Sequence, residues 1–262
     1  MQTEKVIEHI VDWLKDYAVM ANCKGFVIGV SGGIDSAVTS TLCAKTGLDL
    51  LCLEMPIHQG KNQVTRADRH IDWLIDNFTN VNRQAVNLTP VFDTLVNEFP
   101  KVDNEEDRFM SLANTRARLR MTTLYYFAAL KGYLVAGTGN KVEDFGIGFY
   151  TKYGDGGVDL SPIADLLKTE VYELGRVLGV NQDIMEAAPT DGLWGDSRTD
   201  EDQIGASYPE LEWAMQMDEA GKTENDFSDR KKEVFLIYKK FNTSNKHKMI
   251  PIPICEIPTH LK

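Results

Sequence analysis

Six consecutive residues, Ser31, Gly32, Gly33, Ile34, Asp35 and Ser36, carry the most explicit chemistry in the chain. They close an apolar run at 26–30 and open a stretch of helix-forming residues at 37–45, so a strand enters, a glycine turn follows and a helix leaves. At a helix start the first backbone N–H groups have no intrahelical partner and the macrodipole is positive. Two glycines let an anion come close to the main chain there. A phosphate or pyrophosphate suits such a turn, with Ser31 and Ser36 adding hydroxyl donors. Asp35 would repel a bare phosphate and makes best sense holding a Mg²⁺ that bridges phosphate oxygens. A plain strand-to-helix turn with a Ser or Asp N-cap explains a Gly-Gly pair but not all six residues together. No Gly-Lys-[Ser/Thr] ending follows, which excludes a Walker A loop, and no Gly-x-Gly-x-x-Gly occurs, which excludes the dinucleotide fingerprint.

Further candidates lie downstream. Arg116, Arg118 and Arg120 fall within one helical stretch, where 116 and 120 share a face and 118 points about 200° away from 116, so the three cannot all meet one small ligand. The competing reading is a solvated basic face paired with Glu105, Glu106 and Asp107. Glu143 closely follows an expected strand end and could meet Asp35 over one metal. Lys168 at a helix start and Thr190 beside Pro189 are candidate ligands whose ordinary roles would be a solvated lysine and a cap. The segment 145–161 holds Gly146, Gly148, Gly154, Gly156 and Gly157, too many for a helix or ordinary strand. Punctuated by Phe149, Tyr150, Lys152, Tyr153, Asp155 and Asp159, it reads as a functional loop.

The elements that must position these residues follow from periodicity. Val6, Ile7, Ile10, Val11, Leu14, Tyr17 and Ala18 predict an amphipathic helix over the first twenty residues. Strands are expected at 25–30, 50–55, 84–88 (a weak one) and 133–136, with helices at 64–78 and about 106–130 between them. This β-α alternation predicts an α/β fold, a mostly parallel sheet covered by helices on both faces, with ligands beyond the carboxyl ends of its strands. Helices are expected at 169–178 with Gly179 as C-cap, at 181–187, 200–220 and 228–241. The basic stretch from Asn245 onward, followed by Pro251, Pro253 and Pro258, reads as a non-helical tail.

With 262 residues, 43% hydrophobic and 26% charged, and no Pro/Gly/Ser-rich linker, residues 1–262 are expected to form a single domain. A net charge of −11 argues against a nucleic-acid or anionic-membrane binder. Cys23, Cys43, Cys52 and Cys255 show no Cys-x-x-Cys spacing, which points to a reducing, cytoplasmic setting without a zinc site or disulfide framework. Glu4, Glu8 and Asp12 break any secretory pattern, and no apolar run approaches the roughly 20 residues a membrane span needs.

The loop at 31–36 resembles the pyrophosphate-binding loop of the N-type ATP pyrophosphatases, which include GMP synthetases, argininosuccinate synthetases, tRNA-modifying ligases and NAD synthetases. The segments around Arg116, Arg118, Arg120 and Met121, Gly137 and Thr138 with Glu143, the run 149–157 with Asp159 and Pro162, and Lys168 together look like NAD synthetase over nearly the whole chain. The resemblance implies an adenine nucleotide α-hydrolase-like, Rossmann-like fold. It implies an ATP site of Gly29, Val30, Ser31, Gly32, Gly33, Ile34, Asp35 and Ser36, completed by Thr138, Lys168 and Thr190. It further implies Mg²⁺ on Asp35 and Glu143, and deamido-NAD on Arg118, Lys152, Asp159, His247 and Lys248, in a homodimer with substrate between subunits. Two positions depart from the family pattern: Gly139, where an acidic or amide side chain is common, and Arg198, where Gln is common.

On this resemblance ATP would activate the nicotinate carboxylate as an acyl adenylate, releasing pyrophosphate, and ammonia would displace AMP to give NAD. Neither serine of the loop is needed as a nucleophile, and no covalent catalytic residue is expected. Only about 24 residues precede the first strand, too few for an amidase domain, so free ammonia is the expected nitrogen donor. The rivals are another pyrophosphate-releasing ligase, such as a GMP synthetase half, and a non-catalytic adenine-nucleotide binding module on the same fold.

Overall fold

A computed structural model describes residues 1–59, 61–189 and 199–262. Its first half alternates helix and strand: α1 (Thr3–Met20), β1 (Gly25–Gly29), α2 (Ile34–Lys45), β2 (Asp49–Glu54), α3 (Lys61–Asn77), β3 (Val81–Ala85), α4 (Thr89–Glu98), α5 (Glu105–Lys131) and β4 (Leu134–Val135). The strands make one parallel sheet in the order β3-β2-β1-β4. The chain winds outward from β1 to β3, then returns to the other side of β1 to lay down β4. That reversal creates a crevice between the carboxyl ends of β1 and β4, where open parallel sheets bind ligands. The turn at 31–36 leaves β1 there, and Gly137 and Thr138 leave β4.

Successive strand residues point to opposite faces, and both faces are covered along β1, β2 and β4, which is why those strands are nearly continuous apolar runs, whereas the edge strand β3 is mostly polar. Phe26, Ile28, Leu50 and Cys52 pack with Leu14 of α1, Val38 and Leu42 of α2 and Val171 and Leu174 further on; Val27, Leu51, Leu53 and Val135 pack with Phe92 of α4 and Ala128 of α5. Helix α2 is buried nearly all round, from Ile34 and Ser36 through Ala44, so the turn at its start grows from a rigid root. Two of its buried hydroxyls bond within the fold: Thr41 Oγ1 donates to the Ala37 carbonyl at 2.7 Å, and Ser40 Oγ lies 2.9 Å from His70 Nε2.

The second half adds a π-helix (Lys141–Ile147), α6 (Lys168–Leu178), α7 (Gln182–Met185), α8 (Asp200–Ile204), α9 (Tyr208–Glu219) and α10 (Asp229–Met249). Helix α6 lies directly on α2. Gly175 makes this possible, since a Cβ there would sit 2.9 Å from Ile34 Cδ1. The π-helix, α8, α9 and α10 share a separate core around Val142, Ile147, Ile204, Leu211, Val234 and Phe235. Among the described residues no helix is long and apolar enough to cross a membrane.

Four sequence expectations need correction. The third strand is 81–85, not 84–88: pairing of Leu50 with Val81 and Glu54 with Ala85 sets its register, and Arg83 pins it by donating to Glu54, Asp68 and Asp72. Leu88 instead begins the buried approach to α4, a helix that periodicity did not indicate. Phe145, Gly146 and Ile147 belong to the π-helix, so the open loop starts at Gly148. The stretch 200–220 is two helices, because Ser207 caps a new one with Glu210 completing the capping box. The last helix runs through Met249, not to 241, so Asn245, His247 and Lys248 are helical, and the chain leaves the helix just before Pro251.

Burial lowers the His70 imidazole from its ordinary value near 6.5 to about 4. The unfolded chain therefore takes up the proton first as pH falls, and this residue's contribution is complete above about 6.5 and lost toward 4, about 3 kcal/mol in all. Urea unfolding of the wild type should lose more stability between pH 7 and pH 5 than His70→Gln does; equal losses would contradict the assignment.

Candidate active site

The crevice opens into a cleft of about 740 Å³ whose wall includes residues 29–36, Thr138, Glu143 and Lys168. The turn is tied by its own hydroxyls: Ser36 Oγ donates to the Gly33 carbonyl at 3.0 Å and lies 3.1 Å from Ser31 Oγ, which accepts from Gly33 N–H at 3.2 Å. From α3, Arg66 Nε donates to the Gly32 carbonyl at 3.2 Å. Among the described residues no side chain caps α2, so its first-turn N–H groups face the cleft as an anion-binding start.

Beside the turn, Asp35 from the first turn of α2 and Glu143 from the π-helix converge on Lys168, the first residue of α6. Lys168 Nζ lies 2.5 Å from Asp35 Oδ2 and 2.9 Å from Glu143 Oε1. Burial pushes the Asp35 carboxyl upward and outweighs the pull of Lys168, with Glu143 adding to the rise. Burial opposes ionised Glu143 too, but Lys168 and the Tyr208 hydroxyl overcome it and hold Glu143 below the ordinary range. Burial alone would lower Lys168; its two carboxylates instead raise it well above an ordinary lysine, so it stays charged.

One lysine against two carboxylates leaves negative charge over, and both carboxylates reach a single point within hydrogen-bond length. This donor set fits Mg²⁺, which typically takes one or two carboxylates and completes its shell with phosphate and water. Among the described residues no three His, Cys, Asp or Glu side chains gather into a cage, so a Mg²⁺ here would rely on a nucleotide for further ligands.

Two residues of this centre had no sequence signal. Asn140 caps the π-helix by accepting from Val142 and Glu143 N–H at 3.2 and 3.1 Å, and donates to Asp35 Oδ1 at 3.3 Å. Tyr208, the first residue of α9, donates its hydroxyl to Glu143. The Gly139 departure also acquires a reason: a Cβ at 139 would collide with the Asp144 carboxyl, which fills the space beside Thr138. Burial, together with Glu143, Asp155 and Asp35, pushes Asp144 well above the ordinary range.

The acceptor-side residues divide. Arg118 donates to the Lys152 carbonyl at 3.3 Å, Lys152 Nζ to the His247 carbonyl at 2.7 Å, and Lys248 Nζ to the Gly148 and Tyr150 carbonyls at 2.8 and 2.9 Å. These four therefore meet at the loop 148–153. Asp159 stands apart, accepting from Tyr125 OH at 3.0 Å and Val135 N–H at 2.8 Å. Of the five, only Lys248 lines the cleft. Arg116 and Arg120 do not form a solvated face with 105–107. Arg116 stacks over Phe92 at 4.4 Å, and Arg120 turns into the cleft wall, donating to the Met55 carbonyl and Gln59 at 3.1 and 2.9 Å. Burial and the neighbouring Arg116 lower Arg120 to about 10. Thr190 and Arg198 lie outside the described residues.

Helix α10 holds the start of this loop. Asn242 and Asn245 donate to the Gly146 and Ile147 carbonyls at 2.8 and 2.9 Å. Gly148 has φ +61°, and a Cβ there would lie 2.5 Å from Asn245 Cβ.

A family model described as NAD synthase matches residues 6–251. The NH(3)-dependent NAD(+) synthetase of Carboxydothermus hydrogenoformans is 40% identical over 233 residues, covering 87% of this chain and 91% of that protein. Among solved structures, an NMN synthetase from Francisella tularensis superposes with a TM-score of 0.82 at 30% identity, covering 99% of both chains. An NH3-dependent NAD synthetase from Campylobacter jejuni, in complex with the nitrate ion, superposes with a TM-score of 0.78 at 26% identity, covering 98% of this chain and 100% of that one.

Gly148→Ala combines a left-handed backbone with a clash against α10, and should lower unfolding stability by about 2–4 kcal/mol in urea titration. A loss under about 0.5 kcal/mol would contradict this packing.

Proposed function

The chain belongs to the NAD synthase family, and from that membership we propose how its residues divide the work of the reaction. It is an ATP-binding carbon–nitrogen ligase that amidates deamido-NAD with ammonia to give NAD, the last step of NAD biosynthesis. The observation that carries the residue assignment is the convergence of Asp35, Glu143 and Lys168 beside the start of α2.

A carboxylate resists attack by ammonia because its carbonyl is resonance-stabilised and oxide is a very poor leaving group. Activation therefore comes first: a nicotinate oxygen attacks the α-phosphorus of ATP, the α–β bridging bond breaks, and pyrophosphate leaves with the electron pair. We assign the residues 29–36 turn, Thr138, Lys168 and, by resemblance alone, Thr190 to ATP. The turn's N–H groups and Lys168 stabilise charge developing on the departing pyrophosphate. Asp35 and Glu143 would hold Mg²⁺, which supplies Lewis-acid charge stabilisation when bound. Ammonia then adds to the activated carbonyl and AMP departs. Ser31 and Ser36 serve as donors, and the protein contributes position and field rather than a nucleophile.

For deamido-NAD we assign Arg118, Lys152, Asp159, His247 and Lys248. Four of these lie outside the cleft of one chain, and α5 exposes Met110, Tyr126 and Leu130. Both features support a homodimer in which a second copy completes the acceptor site. Residues 1–262 act in this reading as one synthetase domain, with ammonia itself as donor.

With ATP, Mg²⁺ and ammonium, deamido-NAD should release AMP and pyrophosphate in equal amounts, whereas xanthosine monophosphate or no acceptor should release neither. Nicotinic acid mononucleotide belongs in the same series, and faster turnover with it would contradict deamido-NAD as the preferred acceptor. Asp35→Ala should lower turnover at least about 10²-fold, because metal charge stabilisation is worth several kcal/mol; near-normal turnover would refute the metal assignment.

A further inference from the structure

Helix α9 contributes no residue to the family-derived site, yet it is attached to two members, Glu143 and Lys168, of the cluster they form with Asp35. At its first position, Tyr208 is buried at 4% exposure, and its hydroxyl donates to Glu143 Oε1, with Asp200 Oδ2 a more distant acceptor at 3.3 Å. A phenol has one proton, and the closer, ionised Glu143 takes it. The ring of the same residue lies 4.8 Å from Lys168 Nζ, within cation–π range. One turn on, Glu212 accepts from Thr169 N–H at 2.9 Å and Thr169 Oγ1 at 2.8 Å, which fixes the start of the helix that carries Lys168.

The backbone beneath Tyr208 is itself tied down. Its N–H donates to Glu201 at 2.8 Å, Ser207 N–H donates to Glu210 at 2.9 Å, and Arg230 of α10 binds both oxygens of Glu210 at 2.8 and 2.9 Å. A tyrosine on a rigid, capped helix start can impose an orientation on its partner rather than follow it. Both strong donors to Glu143, Lys168 and Tyr208, fall on Oε1, which leaves Oε2 outside those two bonds.

We propose that Tyr208 is a positioning residue that holds Glu143 by Oε1 and so presents Oε2 to the divalent cation. Its ring meanwhile lies within cation–π range of the Lys168 ammonium. The hydroxyl does for this carboxylate what an outer hydrogen bond does for a ligating histidine: it fixes the orientation of the ligand and tunes its strength. This inference rests on the assignment of Asp35 and Glu143 to Mg²⁺.

The test uses Mn²⁺ as probe and the intact chain mixed in equal amounts with α,β-methylene-ATP, which cannot undergo α–β cleavage. Bound and free Mn²⁺ are counted by electron paramagnetic resonance for wild type, Tyr208→Phe and Asp35→Ala, and melting temperatures are recorded in parallel. Tyr208→Phe keeps the ring and its packing and removes only the hydroxyl. It should weaken Mn²⁺ binding about 10–100-fold, the range for loss of an outer-shell partner, with a melting temperature close to wild type. Wild-type Mn²⁺ affinity in Tyr208→Phe, whether or not its melting temperature falls, would overturn the proposal and leave Tyr208 a packing residue. If Asp35→Ala binds Mn²⁺ as tightly as wild type, the metal assignment itself fails, and the proposal with it.

Discussion

The ammonium of Lys168 between two sunken carboxylates is the interaction on which the site depends. Each carboxylate alone would be driven toward its neutral form by desolvation, and the lysine alone would lose its charge. Together they stay in place because each supplies what burial removes from the others. Removing one member of such a buried group typically costs about 3–5 kcal/mol, since the remaining charges are left uncompensated. The three residues sit at three separate element starts, so the cluster also measures whether the second half of the chain has docked correctly on the first.

Several features of the fold exist to satisfy that constraint. The strand order places the ends of β1 and β4 side by side, which brings the Asp35 turn next to the segment that carries Glu143. Gly175 removes the side chain that would keep α6 off α2, and so lets Lys168 reach Asp35. Asn140 links the two halves directly, capping the π-helix with its carbonyl oxygen and touching Asp35 with its amide nitrogen. The net result is a negative centre beside a positive helix start, an arrangement that suits a cation and a polyphosphate arriving together.

What was legible in the sequence was local. The turn at 31–36 announces itself because strand, glycines and helix lie within about 20 residues, and its place beyond a strand's carboxyl end follows from β-α alternation, whereas the reversal between β1 and β4 shows only in the strand order. Arg116 and Arg120 do share a face, but periodicity could not say that this face turns inward toward Phe92, Met55 and Gln59. Tyr208 and Asn140 were invisible because their roles arise from contacts across 65 and 105 residues of chain. The helical run through Asn245, His247 and Lys248 was missed for a related reason. Asn and His are weak helix formers, and those turns are held by bonds to the carbonyls of Ile147, Gly148 and Tyr150.

In the proposed assignment Asp35 and Glu143 are the two protein ligands of one divalent cation, with Lys168 between them until a nucleotide arrives. Crystals grown with Mn²⁺ and α,β-methylene-ATP, measured at a wavelength where manganese scatters anomalously, test this directly. The expected result is an anomalous peak shared by the two carboxylates and phosphate oxygens, with Lys168 in contact with phosphate. A peak remote from both carboxylates, with Lys168 still bonded to the pair, would contradict it.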